Sequence, residues 1–133
     1  MSHESMSLQE SFHNAFLYFM EALDVLSLNA AEQCEAMGNF NVAWEIQHDV
    51  LDGGVALVNW PDDYLSQSEK DDIGQLLGTL RKLPEAALQS ENRQAMNHPA
   101  WIELRGAATR LSAQLGDASR RNREFFQSQR QGK

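Results

Sequence analysis

The residues best suited to chemistry in this chain are two Glu-x-x-His pairs, Glu10-Ser11-Phe12-His13 and Glu45-Ile46-Gln47-His48. In di-iron helical bundles, two such pairs and two further glutamates project inward and hold the metals through mixed carboxylate and imidazole ligands. The test here is one of helical phase. Leu8, Phe12, Ala15, Phe16, Phe19, Leu23, Leu26, Ala30, Cys34 and Met37 recur at steps of three and four, which defines one apolar helix face. Glu10 falls roughly opposite that face and His13 roughly at right angles to it. Glu45 and His48 fall well away from the stripe of Ala43, Ile46, Val50, Gly54, Leu57 and Val58. Antiparallel packing would set Glu45 beside Glu32, about 30 Å along the helix from Glu10. Both pairs therefore read as solvated faces, and no metal or other cofactor is expected.

The remaining chemistry-bearing residues form no catalytic pattern. Serine, histidine and aspartate occur, but no motif groups them into a nucleophilic site. His48 and Asp49 are adjacent on a helix, and such neighbours do not face each other. Gly53-Gly54 lacks both the spacing and the lysine of a phosphate loop. A phosphotransfer bundle presents an exposed histidine among basic residues, whereas His13 and His48 have acidic surroundings and no lysine nearby. Cys34 lies on the apolar stripe and reads as a core thiol.

The elements that position these residues are helices. The first is expected over about 8–37, capped by Ser5 or by Ser7, the latter completing a capping box with Glu10, and closed by Gly38-Asn39. The second follows Asn39 or Asn41 and ends before Pro61; its stripe keeps phase across Gly53-Gly54, which predicts a continuous helix. The third opens at the capping box Ser66–Glu69 and meets Pro84, after which a short helical piece reaches about Asn92. The fourth spans about 98–127, with Asn97 as its cap and Trp101, Leu104, Ala108, Leu111, Leu115, Ala118, Asn122 and Phe125 as its stripe. The expected fold is all-α: an antiparallel up-down-up-down four-helix bundle of two long helices and two shorter or kinked ones. It forms a single domain over 1–133 with flexible ends at about 1–6 and 128–133. That topology brings Phe12, Phe16 and Phe19 near Phe125 and Phe126.

Charge is segregated along the chain. The formal net charge is −8, and no Lys or Arg precedes Lys70. From Arg93 onward the balance reverses, with eight basic residues against Glu103, Asp117 and Glu124. One consequence is that the last helix can neutralise part of the acidic ones. Another is a negative surface suited to a basic partner, and unsuited to nucleic acid. Leu17 and Leu28 lie off the main stripe, so a homodimer through helical surface is also possible on this pattern. A single cysteine fits a reducing compartment. The first ten residues carry Glu4 and Glu10 without Lys or Arg, unlike a secretory leader, and no apolar run is long enough for a membrane span. A cytoplasmic protein is expected.

The functional expectation is a non-enzymatic binding module, of adaptor, chaperone or immunity type, whose acidic surface engages a basic protein. The candidate partner-binding residues are Glu32, Glu35, Glu45 and Asp49, with Trp60, Asp62, Asp63 and Tyr64 of the loop before the third helix. The plainer reading of Trp60 and Tyr64 is that they cap the end of the core; the functional one is a partner-binding loop, since Trp and Tyr are frequent interface anchors. The alternative is a small-molecule or metal-dependent enzyme with its site between helices or at a subunit interface. An interior lined by polar clusters would favour the enzyme; an apolar core with the acids outside favours the binder.

Overall fold

The computed structural model describes residues 7–38 and 41–131. They form α1 (Leu8–Ser27), α2 (Ala30–Met37), α3 (Val42–Val58), α4 (Gln67–Arg81), α5 (Asn92–Met96), α6 (Ala100–Gln114) and α7 (Gly116–Gln131), with a 3₁₀ turn at Glu85–Leu88 before α5. The fold is all-α, and no strand occurs among the described residues. Of the chain ends expected to be flexible, 1–6 and 132–133 lie outside the described residues, and 128–131 close α7.

Both long helices are divided. Leu28 takes an extended conformation after α1, and Asn29 begins α2. The cause is local: Asn29 Oδ1 accepts from the Glu32 amide at 2.8 Å, and Glu32 Oε1 accepts from the Asn29 amide at 3.1 Å. This second capping box satisfies the free N–H groups of a new helix start. The chain turns again at Leu115, between α6 and α7, just before Gly116. The cap of α6 also differs from the expectation. Asn97 closes α5 instead, and His98 Nδ1 accepts from the Ala100 amide at 3.0 Å.

Helix α1 packs against α3 and α6, and α4 packs against the same two, so these four surround the core. Phe16, Phe19, Leu23 and Leu26 of α1 are buried there with Ile46, Leu57, Ile73, Leu80, Trp101 and Leu104. Helix α3 passes unbroken through Gly53 and Gly54. A Cβ on Gly54 would stand 2.6 Å from Leu77 Cδ2, so this glycine is what allows α4 to approach so closely.

Buried polar groups tie the helices together. Gln47 Nε2 donates to the Leu80 carbonyl at the end of α4, at 2.9 Å. Gln33 Nε2 donates to the Val25 and Leu26 carbonyls, at 3.1 and 3.0 Å, and so closes the end of α1. Its Oε1 accepts from Arg105 Nη2 at 2.8 Å, and Arg105 Nη2 reaches the Met96 carbonyl at 2.5 Å. Trp101 is fully buried, and its Nε1 donates to the Ala87 carbonyl at 2.9 Å, anchoring the 3₁₀ turn.

Candidate functional site

The acids of the first half of the chain lie outside the apolar core. Glu21, Asp24, Glu32, Glu35, Asp49 and Asp52 are exposed, and Glu45 is half-buried. Helices α1 and α3 enclose an open groove of about 430 Å³, lined by Tyr18, Glu21 and Val25 on one wall and by Asp49, Asp52 and Gly53 on the other. No Lys or Arg lines it. At its floor Gly53 faces Phe19, and a Cβ there would stand 3.4 Å from Phe19 Cδ1, an ordinary contact.

Helical spacing places Glu45, Asp49 and Asp52 along one side of α3. Partial desolvation of this largely exposed side chain raises the pKa of Asp49 above its ordinary value, and the neighbouring Asp52 charge raises it further; His48 acts in the opposite sense. Glu45 Oε1 is buried without a hydrogen-bond partner among the described residues. The arginines of α7 do not relieve this surface. Arg120 pairs with Asp117 and Glu124, and Arg121 with Asp117 and Glu69. Among the described residues, no ion pair involves an acid of α1, α2 or α3.

The stability consequence follows from the sign of the Asp49 shift. Its folded-state pKa is raised, so its contribution is fully present below the ordinary carboxylate range and is lost as pH rises through the folded value. At neutral pH the ionised group is a cost. Asp49→Asn is therefore expected to raise Tm by about 1–3 °C at neutral pH, the exposure of the group keeping the gain small. The gain disappears near about pH 3, where the wild-type carboxyl is itself protonated. Thermal melts followed by circular dichroism at the two pH values check this; an equal gain at both would assign it to something other than charge.

Of the eight candidate partner-binding residues, the groove takes in only Asp49. Glu45 lies one turn before it on α3. Glu32 and Glu35 are on α2, where Glu32 is committed to the capping box. Trp60 and Tyr64 are at a different place. Both are half-buried against Phe12, with ring centroids 5.5 and 4.8 Å away, while Asp62 and Asp63 are exposed beside them. Sequence reasoning placed Glu21 with Asp49 on the acidic surface but missed Asp52 and Tyr18 as their companions in the groove. The signal was available only once α1 and α3 were aligned against each other.

The four residues of the Glu-x-x-His pairs do not meet. His48 Nδ1 lies 2.8 Å from the Trp44 carbonyl, and its ring stacks on the half-exposed Trp44. Glu10 serves the capping box of α1. His13 departs from the expectation of a solvated face: it is only 7% exposed. Helix α7 covers that flank of α1, placing the Phe125 ring 4.1 Å from the imidazole. The aromatic residues from the two ends of the chain do gather, with His13 linking Phe12 to Phe125 and Phe126. Among the described residues, no group of three His, Cys, Asp or Glu is placed to hold a metal ion, and no helix is long and apolar enough to cross a membrane.

Fold and groove together define an all-α protein with an anionic interhelical surface. Comparison with protein-family models, with curated proteins and with solved structures returns no match.

Proposed function

We propose that this is a cytoplasmic, non-enzymatic protein-binding module that engages a basic segment of another protein through the α1–α3 groove. The observation that carries the reading is the groove itself: Glu21, Asp49 and Asp52 converge there with no cation in the lining. Two features support it. The raised pKa of Asp49 is a cost that an incoming Lys or Arg would offset. Tyr18, at 70% exposure, stands on the rim and can lie against an aliphatic stem or a guanidinium plane.

The test is fluorescence anisotropy with a labelled oligo-arginine peptide. Glu21→Lys, Asp49→Lys and Asp52→Lys combined are expected to weaken binding by about a hundredfold, since like charges then face the peptide. Asp71→Lys, Glu85→Lys and Glu103→Lys change the net charge equally at exposed positions of α4, the 3₁₀ turn and α6, and should weaken binding by less than about tenfold. Equal losses in the two triple variants would show that the peptide responds to net charge and not to the groove. A homodimer through exposed Leu17 and Tyr18 would occlude the same surface; peptide affinity would then fall as protein concentration rises.

A further inference from the structure

At the other end of α1 lies a second cleft, of about 440 Å³, between the start of α1, the loop before α4, and α7. Its walls are Phe12, Tyr64, Leu65, Ala118 and Phe125, and His13 lines it among them. The imidazole is held on several sides. Phe125 stacks on its face at an interplanar angle of 15°, Phe12 meets it edge-on with centroids 5.2 Å apart, and Nδ1 lies 2.6 Å from Asn122 Oδ1. Asn122 is itself buried, at 5% exposure. An amide oxygen only accepts, so the proton of the neutral ring sits on Nδ1. Nε2 is then left as a bare acceptor, and it makes no hydrogen bond to any described residue.

The charged groups at the mouth are already satisfied. Glu124 is paired with Arg120, and Arg121 with Asp117 and Glu69. The cleft thus offers aromatic walls and a fixed acceptor, with the uncharged polar side chains of Gln9 and Ser128 also in its lining. A site of this size, largely apolar with a few placed polar groups, has the form of a small-molecule pocket between helices.

We infer that this cleft binds a neutral, planar aromatic molecule carrying one N–H or O–H donor, which the Nε2 atom of His13 accepts. This binding is independent of the basic partner assigned to the α1–α3 groove. The ring of such a ligand would pack among Phe12, Tyr64 and Phe125, and its donor would hydrogen-bond to Nε2 of His13.

The experiment is titration of the full chain with indole and with 1-methylindole, in which a methyl group replaces the N–H donor, followed by NMR of the imidazole nitrogens. Indole is expected to saturate and to move the His13 Nε2 resonance, with 1-methylindole binding about tenfold more weakly. His13→Phe keeps the ring and removes the acceptor; it should bind the two ligands equally, after circular dichroism has confirmed its fold. If that variant fails to fold, the two ligands on the native chain still decide the matter. Equal affinities for the native protein, an unmoved His13 resonance, or no saturable indole binding would each overturn the assignment.

Discussion

Trp101→Ala is expected to lower the unfolding free energy by about 3–5 kcal/mol, the range for emptying a fully buried large aromatic site. The residue has no exposed surface and sits on α6 with Leu104 at the next turn. Truncation removes more than packing, because Trp101 Nε1 is the donor to the Ala87 carbonyl. Trp101→Phe separates the two contributions. It keeps most of the ring but leaves that carbonyl without its partner, and should cost about 1–3 kcal/mol. Urea unfolding with unchanged slope and a lowered midpoint would be the expected record for both. A Trp101→Phe midpoint equal to wild type would mean that the indole hydrogen bond contributes nothing to the 3₁₀ turn.

The two adjacent glycines of α3 should respond in opposite directions. At Gly54 even a single Cβ would stand 2.6 Å from Leu77 Cδ2 and 2.9 Å from its Cδ1, and Leu77 is only 2% exposed with little room to withdraw. Gly54→Leu is expected to cost about 3 kcal/mol by overpacking. At Gly53 the nearest atom is 3.4 Å away, close to ordinary contact. Gly53→Ala should gain about 0.5–1 kcal/mol from the higher helix propensity of alanine. Denaturation midpoints of the two variants settle the pair. Destabilisation by both would show that α1 approaches α3 at Gly53 as tightly as α4 does at Gly54.

These outcomes mark where the sequence was legible. The continuity of α3 followed from the phase of its stripe, and the capping boxes at Ser7 and Ser66 located two helix starts. The break at Leu28 also had a local signal, Asn29-x-x-Glu32, but it lay inside an unbroken apolar stripe that favoured one long helix. Gly116 was a weaker marker of the same kind. Gln33 and Gln47 are polar residues at positions where each stripe turns inward, three or four residues from Ala30 and Ala43. That misfit was visible, but their partners were not, because Val25, Leu26, Arg105 and Leu80 are set by tertiary packing. The burial of His13 depended on α7 covering a flank that helical phase alone assigned to solvent. The groove was half legible: its charge was evident, but its shape required the register of α1 against α3.

The segregation of charge along the chain reappears in the structure as a division of labour at helix ends. A helix carries partial negative charge at its C-terminus, where cations are favourable. None of α1, α2 and α3 has a basic residue in its last turn. Positive charge comes instead from farther along the chain. The Arg105 guanidinium stands one side chain behind the end of α1, with the Gln33 amide between, so it polarises the very N–H groups that meet the Val25 and Leu26 carbonyls. Just beyond α3, Lys70 Nζ reaches the Trp60 carbonyl at 3.2 Å. The carbonyl ends of α1 and α3 thus draw their positive charge from residues later in the chain, and the acidic segment is electrically incomplete without them.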